Sequence, residues 1–225
     1  MVENLTINRH KLIYMTQTAN QVSGLYVITD PKLSTPETIV SDVTAALEGG
    51  AKIVQFRDKT SDFETQLNIS KQLKTVCDKY HAALIINDNL ELAKLSQAHG
   101  IHIGKNDADF QTVRNTLGDK IIIGVSCYND LALAQSMQDK GADYVAFGRF
   151  FPSLTKPDAP QAEIDTLLKA KKKLSIPIVA IGGIDSSNAA QLIATGVDSI
   201  AVIQGVFAQP HIEKSAYKIS QLFQS

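Results

Sequence analysis

From Gly24 onward, short apolar runs of four to six residues alternate with longer segments in which apolar positions recur every three or four residues. The short runs cover residues 25–29, 53–57, 83–87, 100–103, 121–126, 144–148, 178–181 and 199–203, and most are continuous rather than alternating. Continuous runs of this length suit parallel strands covered on both faces. The segments between them read as helices. In the first, Thr35-Pro36-Glu37 offers an N-cap, a proline in the first turn and an acid near the positive end of the helix dipole. Ile39, Val40, Val43 and Leu47 follow at helical spacing, and Gly49-Gly50 ends the run. Ser61 with Glu64 has the spacing of a capping box for the next helix, which carries Phe63, Leu67, Leu73, Val76 and Tyr80. Further helices are predicted over 90–98, 110–117, 131–140, 161–174, 187–195 and 206–223. A glycine followed by Ala or Val then leads into a strand at Gly50, Gly141 and Gly196, which marks helix stops.

Eight strands, each followed by a helix, with no long linker, give an α/β fold, a single (β/α)8 barrel over residues 24–225. Residues 1–23 precede it as an arm or cap. The rival, a doubly wound open sheet, is usually announced by a G-x-G-x-x-G after its first strand. Here that strand runs into Thr29-Asp30-Pro31. The chain's 225 residues lie within the usual size of a one-domain barrel.

Charge narrows the function. Lys and Arg number 22 against 23 Asp and Glu, a formal charge of −1. A balance near zero speaks against a nucleic-acid or membrane-surface role. No apolar stretch has the length of a membrane helix, and the first residues lack a signal-peptide core. Two cysteines make no disulfide framework and suit a reducing, cytoplasmic setting. Small-molecule substrates are therefore the expected partners, and monomer and homo-oligomer are equally compatible with the sequence.

In a barrel, chemistry belongs at the C-terminal ends of the strands. Arg57 and Lys59 stand two apart on an extended segment and so point the same way, a fork and a point charge suited to a diphosphate. Pairing with Asp58 or Asp62 is the plainer alternative. Asp88 and Asp107 follow neighbouring strands. Two carboxylates so placed call for a cation, and oxygen ligands near phosphate favour Mg²⁺. Helix N-capping is the competing role for both. Gly182-Gly183 suits phosphate binding between the seventh and eighth strands. Residues 151–160, with three prolines and Lys156, read as a stiffened functional loop. His99 and His102 are three apart on a strand, face opposite ways and make no metal pair. Cys127 has no evident base to make it a nucleophile.

With these residues in place the chain resembles the thiamine-phosphate synthase family. The resemblance rests on Gly24-Leu-Tyr-Val-Ile-Thr-Asp30, Gln55-Phe-Arg-Asp-Lys59, Ile86-Asn-Asp88, His102-Ile-Gly104 with Asp107, Gly124-Val-Ser126, the run from Gly141 to Gly148, Thr155-Lys156 and Ile181-Gly-Gly183. It implies a transferase that joins a pyrimidine diphosphate to a thiazole phosphate with Mg²⁺ as cofactor. Carried over position by position, it implies that Gln55, Phe56, Arg57, Asp58, Lys59, Asn87, Ser126 and Lys156 bind the pyrimidine diphosphate. Of these, Arg57, Lys59, Ser126 and Lys156 would be the catalytic set. Asp88 and Asp107 would hold the metal. Ser153, Leu154, Thr155, Gly183, Ile203 and Gln204 would hold the thiazole phosphate. Lys105, Ser153 and Gln204-Gly205 depart from the family's usual glutamine, threonine and Ser-Ala pair. Tyr128 lies near a position that is often histidine and receives no role. Two other readings remain on the same scaffold. A thiazole-phosphate tautomerase needs no diphosphate or metal site. A phosphate-sensing regulator would tolerate loss of the carboxylate pair.

Overall fold

The computed structural model describes residues 22–104, 107–152 and 161–224. Its strands are β1 (Gly24–Ile28), β2 (Ile53–Phe56), β3 (Ala83–Asn87), β4 (Gly100–Ile103), β5 (Ile122–Tyr128), β6 (Tyr144–Phe147), β7 (Ile178–Ile181) and β8 (Ser199–Val202). All pair in parallel in chain order, and β8 returns to β1, so the sheet closes into the expected barrel. Helices α1 (Ile39–Glu48), α2 (Phe63–Lys79), α3 (Leu90–Leu95), α4 (Phe110–Leu117), α5 (Leu131–Asp139), α6 (Ile164–Lys173), α7 (Ala189–Ile193), α8 (Gln204–Phe207) and α9 (Ile212–Ser220) alternate with the strands. None of the described helices is long and apolar enough to cross a membrane.

The continuous strand runs are explained by two cores. Leu25, Val27, Val54, Phe56, Val145 and Phe147 face outward and pack under the helices. Tyr26, Ile28, Ile53, Ile85, Tyr144 and Ala146 face the barrel interior. With both faces buried, no polar alternation survives. Val22, only 1 % exposed, belongs to the interior core, so the barrel takes in the last described residues of the expected arm. Residues 1–21 lie outside the described part.

Local signals are displaced at several helix ends. Asp62, not Ser61, caps α2, accepting from the Thr65 amide at 2.8 Å. Ser61 is unavailable because its hydroxyl and amide both serve Asp58. Thr35-Pro36-Glu37 form a turn ahead of α1, whose first residue is Ile39. The helix predicted from 161 starts at Ile164, since Ala162 N–H and the Gln161 amide are tied to the Arg149 and Phe150 carbonyls. The long helix predicted over 206–223 is broken into α8, α9 and a short 3₁₀ turn. Pro210, which lacks an N–H and restricts Gln209, stands at the break. The glycine stops hold: Gly50, Gly141 and Gly196 have φ of 94°, 94° and 84°.

The N-terminal mouth carries a repeated fastening. Just before β4, His99 Nδ1 accepts from Leu84 N–H at 2.9 Å. Before β6, Asp143 accepts from Ile123 N–H at 2.8 Å, and before β8, Asp198 accepts from Ile178 N–H at 2.8 Å. A side chain ahead of β4, β6 and β8 thus satisfies an amide of the strand before it. Arg114 at 2.6 Å and Lys171 at 3.0 Å balance the two carboxylates.

Candidate active site

The opposite, C-terminal mouth opens into a cavity of about 380 Å³. Its floor is polar although it lies inside the barrel core. Gln55 from β2, His102 from β4, Ser126 from β5 and Tyr26 and Tyr144 from β1 and β6 line it together. His102 enters the barrel, while His99 sits at the other mouth against Asp78 at 3.0 Å, so the two histidines serve separate places.

On the rim, Arg57 and Asn87 line the cavity. The Arg57 backbone is clamped by Thr29, whose hydroxyl accepts from Arg57 N–H at 2.9 Å and donates to Arg57 C=O at 3.2 Å. Lys59 reaches Asp88 at 3.1 Å, and Asn87 donates to the same Asp88 oxygen at 2.6 Å. Asp107 accepts from Gly104 N–H at 2.6 Å and lies within hydrogen-bonding distance of Asp88. Burial comes first, and the neighbouring Asp88 second, among the causes that hold the Asp107 carboxyl above the usual carboxylate range. Gly104 N–H and Lys59 oppose them.

The capping alternative for these two acids is excluded. Asn89 caps α3, accepting from Leu92 N–H at 2.9 Å, and Asp109 caps α4 through the amides of Gln111 and Thr112. Asp88 and Asp107 are left to face each other at the mouth.

The far wall carries Gly183, Ile203 and Gln204. Gly183 adopts φ of 66°, and a side chain there would strike the Pro152 carbonyl. Two other expected contacts lie elsewhere. The Phe56 side chain is buried in the outer core, on the other face of β2. The Asp58 carboxylate accepts from Thr60 N–H, the Thr60 hydroxyl and Ser61 N–H, and so shapes the loop after β2. Ser153, Leu154, Thr155 and Lys156, like Lys105, fall outside the described residues. Both thiols are buried, and burial pushes Cys77 and Cys127 up to about 12, which suits neither as a nucleophile.

Sequence reasoning missed Tyr26, Tyr144, Asp185 and Gln209 as lining residues and gave His102 no role of its own. The first two and His102 had a signal: polar atoms at the inward positions of strands otherwise filled with aliphatics. Tyr128, with φ of 56°, also lines the cavity.

The family profile of thiamine monophosphate synthase matches residues 25–206. A thiamine-phosphate synthase of Nitrosococcus oceani is 44 % identical over 207 residues, covering 92 % of this chain and 95 % of the relative. One of Marinobacter nauticus is 46 % identical over 202 residues, covering 89 % and 90 %. Among solved structures, a thiamine phosphate pyrophosphorylase from Pyrococcus furiosus superposes with a TM-score of 0.84 at 33 % identity, covering 92 % of this chain and 97 % of its own. A geranylgeranylglyceryl phosphate synthase from Thermoplasma acidophilum, at 14 % identity and a TM-score of 0.67, shares the barrel alone. The matched length, the identities and the strand-end residues agree: this chain belongs to the thiamine monophosphate synthase family.

Proposed function

We propose that this chain is a transferase that joins 4-amino-2-methyl-5-(diphosphooxymethyl)pyrimidine to 4-methyl-5-(2-phosphoethyl)thiazole, or its carboxylated form, giving thiamine phosphate and diphosphate, with carbon dioxide as a further product from the carboxylated form. The observation that carries this reading is the pair Asp88 and Asp107, free of capping duty and facing Lys59 beside Arg57. A tautomerase has no use for such a pair.

The methylene carbon–oxygen bond breaks, and its electron pair leaves on the diphosphate. The lone pair of the thiazole nitrogen forms the new carbon–nitrogen bond. Arg57, Lys59 and Lys156 stabilise the charge that develops on the leaving group. The pyrimidine's amino group supports the positive charge on the methylene, so no protein nucleophile is needed. Gln55, Asn87 and Ser126 orient the pyrimidine half. Ser153, Leu154, Thr155, Gly183, Ile203 and Gln204 hold the thiazole phosphate so that its nitrogen is in line, with water kept out. Phe56 contributes only backbone, and Asp58 acts through its loop.

The residues fit Mg²⁺. Among the described residues no group of three or more His, Cys, Asp or Glu comes together, so the protein's share of such a site is the two carboxylates. Burial, and then the neighbouring Asp88, hold the Asp107 carboxyl above its usual range, and a cation between the two acids would relieve the second cause. Bound there, Mg²⁺ supplies positive charge against the departing diphosphate. Small polar substrates and buried, reduced thiols suit a cytoplasmic enzyme.

Diphosphate release from the purified protein tests this reading. Release is expected to require both substrates and Mg²⁺, to stop with EDTA, and to match thiamine phosphate mole for mole. Folded protein that releases no diphosphate, but isomerises a thiazole phosphate alone, would overturn it in favour of the tautomerase.

A further inference from the structure

The floor of the cavity holds five polar side chains from five strands, joined end to end. Gln55 Nε2 donates to Tyr26 Oη at 2.7 Å. Tyr26 Oη meets Tyr144 Oη at 3.0 Å, Tyr144 Oη meets His102 Nδ1 at 2.9 Å, and His102 Nε2 meets Ser126 Oγ at 2.8 Å. Tyr26 and Tyr144 are 1 % and 0 % exposed. Burial drives both phenols far above their ordinary range, so each keeps its one proton.

One proton per hydroxyl gives the chain a direction. Gln55 donates, so Tyr26 accepts there and its own proton goes to Tyr144. Tyr144 then donates to His102 Nδ1. The His102 proton sits on Nε2 and goes to Ser126. With Gln55 Nε2 on Tyr26, the reverse order would bring donors to Tyr26 from both sides and leave its buried proton without an acceptor, at the cost of an unmade hydrogen bond; the reverse order requires the Gln55 amide turned, with the His102 proton on Nδ1. Tyr144 is seated by packing as well as by bonding. Its ring stacks on His102 at 5.6 Å and meets Tyr26 edge-on at 6.2 Å. It also fills the space where a side chain at Gly124 would stand.

We propose that Tyr26, Tyr144 and His102 are positioning residues that fix the hydrogen-bond polarity of the two ends, so that Gln55 presents Oε1 as an acceptor and Ser126 its hydroxyl as a donor, and that this polarity selects an aminopyrimidine over its 4-oxo counterpart. The inference rests on the pyrimidine reading above. A free glutamine amide turns over to suit either ring, but one whose Nε2 is held by Tyr26 does not. An exocyclic amino group finds the Gln55 acceptor, and an oxo group at the same place meets a second acceptor. A site built for one pattern rejects the other strongly, because a buried polar group is then left unpaired.

The test is calorimetric binding of the two 2-methylpyrimidine methyl diphosphates, 4-amino and 4-oxo, to the folded wild type and variants. The wild type is expected to favour the amino ligand by about 100-fold or more. In Tyr144→Phe the Tyr26 proton needs a new acceptor, Gln55 turns, and the preference falls by at least about tenfold. His102→Gln, which accepts from Tyr144 and donates to Ser126, retains the preference, and His102→Leu loses it. This second pair decides the matter if Tyr144→Phe does not fold. In the ligand-free protein, ¹⁵N-histidine spectra should place the His102 proton on Nε2, and a proton on Nδ1 overturns the chain whatever the substrate. Amino preference unchanged in both Tyr144→Phe and His102→Leu also overturns it, and leaves the synthase reading standing. A wild type that binds neither ligand and releases no diphosphate removes that reading, and this inference with it.

Discussion

Asp88 combines a strained backbone with a demanding position. Its φ of 61° is in the left-handed region, which costs an ordinary side chain about 1 kcal/mol and which Asp and Asn tolerate best. Its carboxylate meets Lys59 and Asn87 on one side and Asp107 on the other. Asp88→Asn keeps the backbone preference and the shape while removing the charge. Turnover is expected to fall about 100-fold, with the unfolding midpoint little changed. A steady-state assay run beside a urea titration checks this, and a variant as active as wild type would remove Asp88 from the site. The place of Arg57 at the cavity rim was legible in the sequence because it follows directly on the apolar run of a strand. The engagement of Asp58 was not, because it depends on how the next three residues turn.

At the scale of the element, the ends of β3 and β4 are each followed by two polar residues with different duties. After β4, Asp107 faces the mouth and Asp109 caps α4. After β3, Asp88 faces the mouth and Asn89 caps α3. The roles predict a crossed result. Asp109→Ala should lower stability by about 1 kcal/mol and leave turnover near wild type. Asp107→Ala should abolish Mg²⁺-dependent turnover without loss of stability, since it relieves a carboxyl held above its usual range. Chemical denaturation and diphosphate release on the same two preparations would settle the assignment, and the reverse pattern would exchange the roles. From sequence, four acids and amides in similar loops look alike. Which one caps depends on where the helix begins, and this differed by one residue at α2 and by several at α6.

Across the whole molecule, the two mouths of the barrel divide the work. The C-terminal mouth gathers the polar side chains that line the cavity, and the N-terminal mouth gathers fastenings, as barrels of this kind commonly do. His99, Asp143 and Asp198 each bind an amide of the preceding strand. His99 must be neutral at Nδ1 to do so. Burial first, and Lys74 second, lower its pKa from 6.5, against the opposing pull of Asp78. Below that unfolded value the unfolded chain takes up a proton that the native state refuses. Stability should therefore decline as pH falls from 6.5 to the lower folded value. His99→Gln keeps an acceptor for Leu84 N–H and does not titrate, so its urea midpoint should vary less across that window. An identical pH slope in both proteins would show that His99 does not contribute.

The sequence by itself determined the barrel. Apolar runs buried on two faces, helical periodicities between them and glycine stops are local features, each readable within a dozen residues, and their count left few ways to close the sheet. It also placed Gln55, Arg57, Asn87, Asp88, Asp107, Ser126, Gly183, Ile203 and Gln204 at strand ends, where the structure has them. The tertiary structure decided which side chains meet. That Asp88 touches Asp107 and not a helix amide, and that Tyr144 crosses the interior to join Tyr26 and His102, follow from barrel closure. Closure brings Tyr144 to Tyr26, 118 positions away, and Ser199 to Gly24, 175 positions away. A hydrogen bond has a range of about 3 Å, and such pairings are set by the angle at which each strand enters the barrel, to which local spacing is blind.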